Sequence, residues 1–271
     1  MILSPYFYLH LTIIICSIGL IIASLEIIWA KEDYSSRGIL SWKILRLRSY
    51  LFKIPFLLHA SDFVFGERGF LFLIKLRILT LLILIYCIIT DIDFRIPLTI
   101  IVITILSSNF RSTFGCDGSD QMVTIVFISS WVASLTGVKS LYSSAALFVG
   151  CQASLSYAVS GVTKIFGEYW RHGTAVREIL DNQTYGNRKI VLLLKHNLWV
   201  TRFLTFGTII LESLFPLSLF LPNNFLLIVL SLGVCFHASI ALVMGLNTFF
   251  WAFTSTYPCL FYTSQVLKDL L

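Results

Sequence analysis

Gln152, Ser156, Ser160 and Lys164 recur every four residues within QASLSYAVSGVTKIFGEYWRHG, the stretch from Gln152 to Gly173. On a helix that spacing lays them along one face with a slow drift. Tyr157 lies two turns before Lys164 on nearly the same side, and Trp170, Arg171 and His172 follow closely. Hydrocarbon offers no hydrogen bonds, so a polar seam in an apolar helix must face other helices or line a site. Lys164 is its chemically pointed member. An amine stripped of water can act as a general base on a weakly acidic proton. The bland alternative is an anchor that snorkels from the helix end and helps to set topology.

Two further ionisable residues sit in apolar runs. His237 lies within LLIVLSLGVCFHASIALVMG and Glu212 within TIILESLFPL. An ionisable group at membrane depth marks a functional site by default, yet each could equally be interhelical glue. The Glu212 carboxylate has Lys164, Arg202 and His237 as candidate partners. In RSTFGCDGSDQ, Arg111, Asp117 and Asp120 accompany two glycines that permit close backbone approach. That segment reads either as a loop closing over a polar ligand or as a capped turn, with Ser119 or Asp120 as the N-cap. Two carboxylates three residues apart do not make a metal site, and the nucleotide, protease and hydrolase signatures are absent. The six cysteines lack metal-ligand spacing and mostly sit in apolar runs, with Cys116 the least apolar of them.

These residues are carried by a chain of 271 residues that is 57% hydrophobic and 13% charged. A soluble domain carries about 25% charge, and the mean hydropathy of +0.87 points the same way. The chain therefore reads as an all-α integral membrane protein, multi-pass, with membrane lipid as its surroundings. The first apolar run, Pro5 to Ala30, lacks a basic leader and reads as a retained helix. Seven further apolar runs follow: the second helix up to Asp91, the short run 96–106, Met122–Thr136, Leu141–Thr163, Leu198–Leu221, Phe225–Met244 and Phe249–Val266. The last is interrupted by Pro258. The expectation is a bundle of about seven to eight transmembrane or partly spanning helices in one domain, 1–271, with no soluble domain. Two long connections, Lys31–Leu71 and Tyr169–His196, carry much of the charge, and WKILRLRSYLFKIP in the first suits a helix lying on headgroups. The net charge of +6 comes without a basic, aromatic-interleaved groove, which excludes nucleic acid as the expected partner.

QASLSYAVSGVTKIFGEYWRHGTA resembles a segment of the HTTM (horizontally transferred transmembrane) family, which includes the vitamin K-dependent gamma-glutamyl carboxylase. VCFHASIALVMGLNTFFWAFTSTYP is similar to a later helix of that family, and DGSDQM to its Gly-Asp turn; together they cover roughly residues 109–258. The resemblance implies a lyase-like enzyme in which Lys164 deprotonates a vitamin K-like hydroquinone, a reduced naphthoquinone. Oxygen-dependent epoxidation would then drive carboxylation of a peptide glutamate with CO2. His237 would be the second catalytic-site residue, and Gln152, Tyr157, Trp170, Arg111, Asp117 and Glu212 would hold substrate, with no metal. Two departures weigh against peptide carboxylation. The chain has no large extramembrane segment after its apolar part, and Arg111 and Ser112 stand where the carboxylase has an Asn-His pair. The competing expectation is a non-catalytic membrane subunit that binds or matures a secreted peptide. The compact, Ile- and Leu-rich chain suits a bacterial cytoplasmic membrane.

Overall fold

The computed structural model describes residues 4–48, 54–112, 117–184 and 186–270, and all regular structure among them is helical. Among the described residues, five helices are long and apolar enough to cross a membrane: Pro5–Trp29, Glu67–Ile89, Lys139–Phe166, Leu198–Phe220 and Asn223–Met244. An all-α, membrane-type chain follows from these lengths, since about 20 apolar residues match a bilayer's hydrocarbon. The chain divides into two compact units, one of residues 13–141 and the other of residues 1–12 and 142–271. The first helix, α1 (Pro5–Trp29), contributes to each.

The unit of residues 13–141 contains α2 (Trp42–Leu45), α3 (Pro55–Phe65), α4 (Glu67–Ile89), α5 (Arg95–Arg111) and α6 (Gly118–Thr136). Leu81, Leu84, Leu98, Ile101, Val126 and Phe127 are buried in it. The connection expected to run to Leu71 ends at Gly66, because α4 starts two turns before its apolar run. The proposed headgroup helix is resolved as α2 and a 3-10 turn at Arg46–Arg48; its residues 49–53 lie outside the described set. Midway along α4, the buried Arg77 donates to the Thr104 carbonyl oxygen at 2.6 Å, to Thr104 Oγ1 at 3.2 Å and to Ser108 Oγ. A guanidinium far from water needs such acceptors, and these fasten α4 to α5.

Arg111 and Asp117 also have structural work in this unit. Arg111 is fully buried; its Nε donates to the Phe65 carbonyl at 3.0 Å and its Nη2 to the Leu40 carbonyl at 2.9 Å. The guanidinium lies over the rings of Phe70 (4.1 Å) and Tyr34 (5.2 Å). Asp117, and neither Ser119 nor Asp120, is the N-cap of α6: its Oδ1 accepts from the backbone amides of Ser119 (2.8 Å) and Asp120 (3.1 Å). Cys116 lies outside the described residues.

The other unit opens with most of α7 (Lys139–Phe166), which runs past the expected end at Thr163 and so holds Lys164 in its last turn. The connection expected over Tyr169–His196 contains three helices, α8 (Glu168–Arg171), α9 (Ala175–Leu180) and α10 (Arg188–His196). On α10, Val191 and Leu194 are three apart and pack against Leu180, while Arg188, Lys189 and Lys195 are exposed. Then follow α11 (Leu198–Leu214) and a 3-10 turn at Phe215–Phe220, where Pro216 lacks the amide that would continue the α-helix. After α12 (Asn223–Met244), the interrupted eighth run forms α13 (Asn247–Thr254) and α14 (Tyr257–Leu270). Pro258 sits in the first turn of α14, where a missing amide costs nothing.

Candidate functional site

The site lies in the unit of residues 1–12 and 142–271, and begins with how closely α7 and α11 approach. Gly161 faces α11 so tightly that a Cβ there would stand 2.4 Å from the Ser213 backbone nitrogen. A small residue at such a crossing lets two backbones meet. The neighbouring Glu212 is thereby brought against the residues flanking Gly161 on α7. Lys164 Nζ lies 2.6 Å from Glu212 Oε2 and donates to Ser160 Oγ at 2.6 Å, while Ser160 Oγ donates to the same Oε2 at 3.0 Å. The Lys164 ammonium also lies 5.2 Å from the centroid of the Trp170 ring, a cation–π contact. Of the three partners open to Glu212 in the sequence, the structure selects Lys164.

A second polar group is built around Tyr157, one turn before Gly161. Its hydroxyl is 2.6 Å from His237 Nε2 on α12 and 2.7 Å from the hydroxyl of Tyr257 at the start of α14. Aromatic packing fixes all three. Tyr157 stacks on Phe215 at 3.8 Å and 16°, His237 stacks on Phe253 at 4.8 Å and 8°, and Tyr257 lies tilted against Phe215 at 6.1 Å. Gly233 leaves room for this arrangement, since a Cβ there would meet the Tyr257 hydroxyl at 2.2 Å. The Tyr157, His237 and Tyr257 side chains are all buried, and His237 Nδ1 has no hydrogen-bond partner among the described residues.

Both groups open on one cavity of about 430 Å³. Ser156, Tyr157, Ser160, Lys164, Trp170, Glu212 and His237 line it, and its remaining walls are almost wholly apolar, including Leu204, Ile240, Phe249 and Phe253. Ile179 and Leu180 of α9 and Ile190 of α10 also line it. Five of the residues singled out in the sequence, Lys164, His237, Tyr157, Trp170 and Glu212, are thus brought together. Three are not. Arg111 and Asp117 belong to the other unit and are occupied as described above. Gln152, partly buried, is not a lining residue; its carbonyl accepts from Ser156 Oγ at 2.9 Å. The reason is geometric, because a four-residue repeat drifts by about 40° per step on a 3.6-residue helix, or about 120° between Lys164 and Gln152.

Tyr257 carried no distinguishing signal in its aromatic-rich run, and sequence reasoning missed it. Chemically, the cavity offers an apolar berth with two polar stations, one an ion pair and one a neutral hydrogen-bonded chain. Among the described residues no group of three or more His, Cys, Asp or Glu is placed to hold a metal ion. Compared with protein-family profiles, with curated proteins and with solved structures, the chain has no match.

Proposed function

We propose that this cavity is the site of a membrane enzyme that takes a proton from a lipid-soluble quinol. The observation that carries the proposal is an ion pair, bridged by a hydroxyl, on the wall of an apolar cavity that a buried histidine also lines. At about 430 Å³ the cavity falls in the range that holds a small aromatic ligand. Apolar walls suit the ring and the start of a hydrocarbon tail. Within the pair, the lone pair available to a proton belongs to the carboxylate. Glu212 is therefore the first acceptor of the phenolic proton, and the Lys164 ammonium stabilises the phenolate left behind. In the ion-paired form the amine has no lone pair to offer, so Lys164 acts through its charge, which refines the role expected for it.

With dioxygen as co-substrate, as the HTTM resemblance implies, the balanced outcome is a quinone epoxide and one water. One oxygen atom enters the ring, and the other leaves with the two quinol hydrogens. Coupling to glutamate carboxylation with CO2 is the further step of the same proposal. The short α5 and α6 and the α13–α14 pair serve as partial spans, which brings the spanning and partly spanning elements to eight, in a bacterial cytoplasmic membrane.

One observation favours a second reading. The Lys164–Glu212 pair joins α7 to α11, as a purely structural tie would, and the chain would then be a non-catalytic subunit that binds a secreted peptide. The test is oxygen-dependent conversion of a naphthohydroquinone to its epoxide by the purified protein in lipid. Wild type should form epoxide, and Lys164→Ala and Glu212→Gln should each lose about 100-fold or more, the scale of general acid–base catalysis. No epoxide from folded wild type, or full turnover by both variants, would leave the peptide-binding reading in place.

A further inference from the structure

The hydrogen-bond chain Tyr257–Tyr157–His237 has a direction, and the direction assigns a proton. The Tyr257 hydroxyl has one hydrogen-bond partner among the described residues, the Tyr157 oxygen. Its buried proton must go there or go unpaired. Tyr157 Oη, having accepted that bond, donates its own proton to the other atom in reach, His237 Nε2. Nε2 is then the ring's acceptor, and with no carboxylate bonded to the ring the imidazole is neutral, so its hydrogen sits on Nδ1. The reverse direction strands two groups, the Tyr257 proton and the Nδ1 lone pair. The forward direction strands one, the Nδ1–H.

That remaining donor belongs to a residue lining the cavity. We infer that Tyr257 sets the tautomer of His237 through Tyr157, and that the Nδ1–H so produced is a binding station for an acceptor oxygen of the cavity's ligand, a carbonyl-type oxygen on a lipid-soluble ring. Tyr257 does not line the cavity and is a positioning residue. The ligand half of this inference rests on the quinol reading; the tautomer half stands without it. Ser160, where the Lys164–Glu212 pair is gathered, is three residues from Tyr157 on α7, about 4.5 Å of axial rise, and both residues line the one cavity.

The experiment is ¹⁵N NMR of the full chain in lipid nanodiscs with ¹⁵N-labelled histidine, using His237→Asn to assign the resonance among the five histidines. Wild type should show His237 protonated at Nδ1. Tyr257→Phe keeps the ring and removes only the hydroxyl, and should convert that signal to a mixture of tautomers or to Nε2–H. Adding 2-methyl-1,4-naphthoquinone should shift the wild-type Nδ1 resonance, and Tyr257→Phe should bind the quinone about threefold to tenfold more weakly, the worth of one neutral hydrogen bond. Nε2–H in wild type, or a tautomer indifferent to Tyr257→Phe, would overturn the assignment whatever the epoxide assay gives. A tautomer that switches as expected but ignores the quinone would overturn the ligand half. A quinone-dependent shift in a protein that forms no epoxide would uphold the inference and remove only the catalytic step.

Discussion

Removing one member of the Lys164–Glu212 pair and removing both should have very different consequences. Lys164→Met leaves Glu212, with a side chain 8% exposed, as a carboxylate whose one remaining donor among the described residues is Ser160. Breaking a buried pair in this way costs about 3–5 kcal/mol. Glu212→Gln leaves the ammonium, which is 20% exposed and keeps Ser160 and the Trp170 face. Its cost should be lower, about 2–3 kcal/mol, since solvent screens part of the stranded charge. The double variant Lys164→Met/Glu212→Leu strands no charge; only the part-buried Ser160 hydroxyl loses its partners, and apolar groups come against apolar walls. It should lie within about 1 kcal/mol of wild type, so the cycle gives a coupling of several kcal/mol.

Thermal unfolding in lipid nanodiscs measures this, with each kcal/mol worth about 2–4 °C in a chain of this size. The single variants should melt roughly 5 to 15 °C lower, and the double variant close to wild type. Additive losses, with the double variant the least stable of the three, would refute the close ion pair. The same double variant separates function from scaffolding. If the pair takes the quinol proton, the refolded double variant is stable and inactive, an outcome a structural tie does not produce.

Gly161→Ala places a methyl 2.4 Å from the Ser213 backbone nitrogen, and backbone cannot turn aside; a loss of about 1–3 kcal/mol is expected in the same melts, with weaker quinone binding as α7 and α11 part. Gly233→Ala collides instead with the end of the Tyr257 side chain, so it should disturb the His237 NMR signal more than the melting temperature. Asp117→Ala removes the α6 cap and should cost about 1 kcal/mol with no effect on quinone binding. Burial first, and then the negative charge of Asp117, push the Asp120 carboxyl up to about 6, above the usual value of about 3.9 in an unfolded chain. Below about pH 4 both states hold the proton. Between about 4 and 6 the unfolded chain releases it first, so stability falls as pH rises, and the penalty is complete above 6. Asp120→Asn should flatten that slope and raise the melting temperature at pH 7; parallel pH profiles would refute the assignment.

The long helices were legible because hydropathy over some 20 residues is a strong signal, and the five longest apolar helices coincide with expected runs. Their starts were not. The first turn of α4 holds Glu67 and that of α6 follows Asp117, so each begins before its apolar run does. Within Tyr169–His196, α10 escaped notice because nine residues with two buried positions give too short a period to stand out among charges. The polar seam on α7 was legible as a face, yet its drift carries Gln152 off the cavity. Arg111 and Asp117 illustrate a real ambiguity, since a charged residue beside glycines serves a capped turn and a ligand loop equally well. Only the position of Phe65 and Leu40, far away in sequence, decides for Arg111.

The partner of Glu212 was undecidable from spacing for a reason that bears on function. Lys164, Arg202 and His237 are all chemically acceptable, and the choice is made by Gly161, a residue with no side chain to advertise it. Its approach to Ser213 brings Ser160 and Lys164 to the Glu212 side of the cavity. On the same face, Tyr157 receives His237 and Tyr257, whose own approach depends on Gly233. Two glycines thus permit two polar stations on one helix face, separated by about one turn. If those stations were merely interhelical glue, each would be best served by satisfying every polar atom within the protein. The pair with its bridging serine leaves no buried polar atom unpartnered among the described residues; the chain ending at His237 leaves Nδ1. A donor left over on a residue that lines a cavity is a poor tie and a good binding group, and that asymmetry is the physical reason to favour a ligand in this cavity over scaffolding alone.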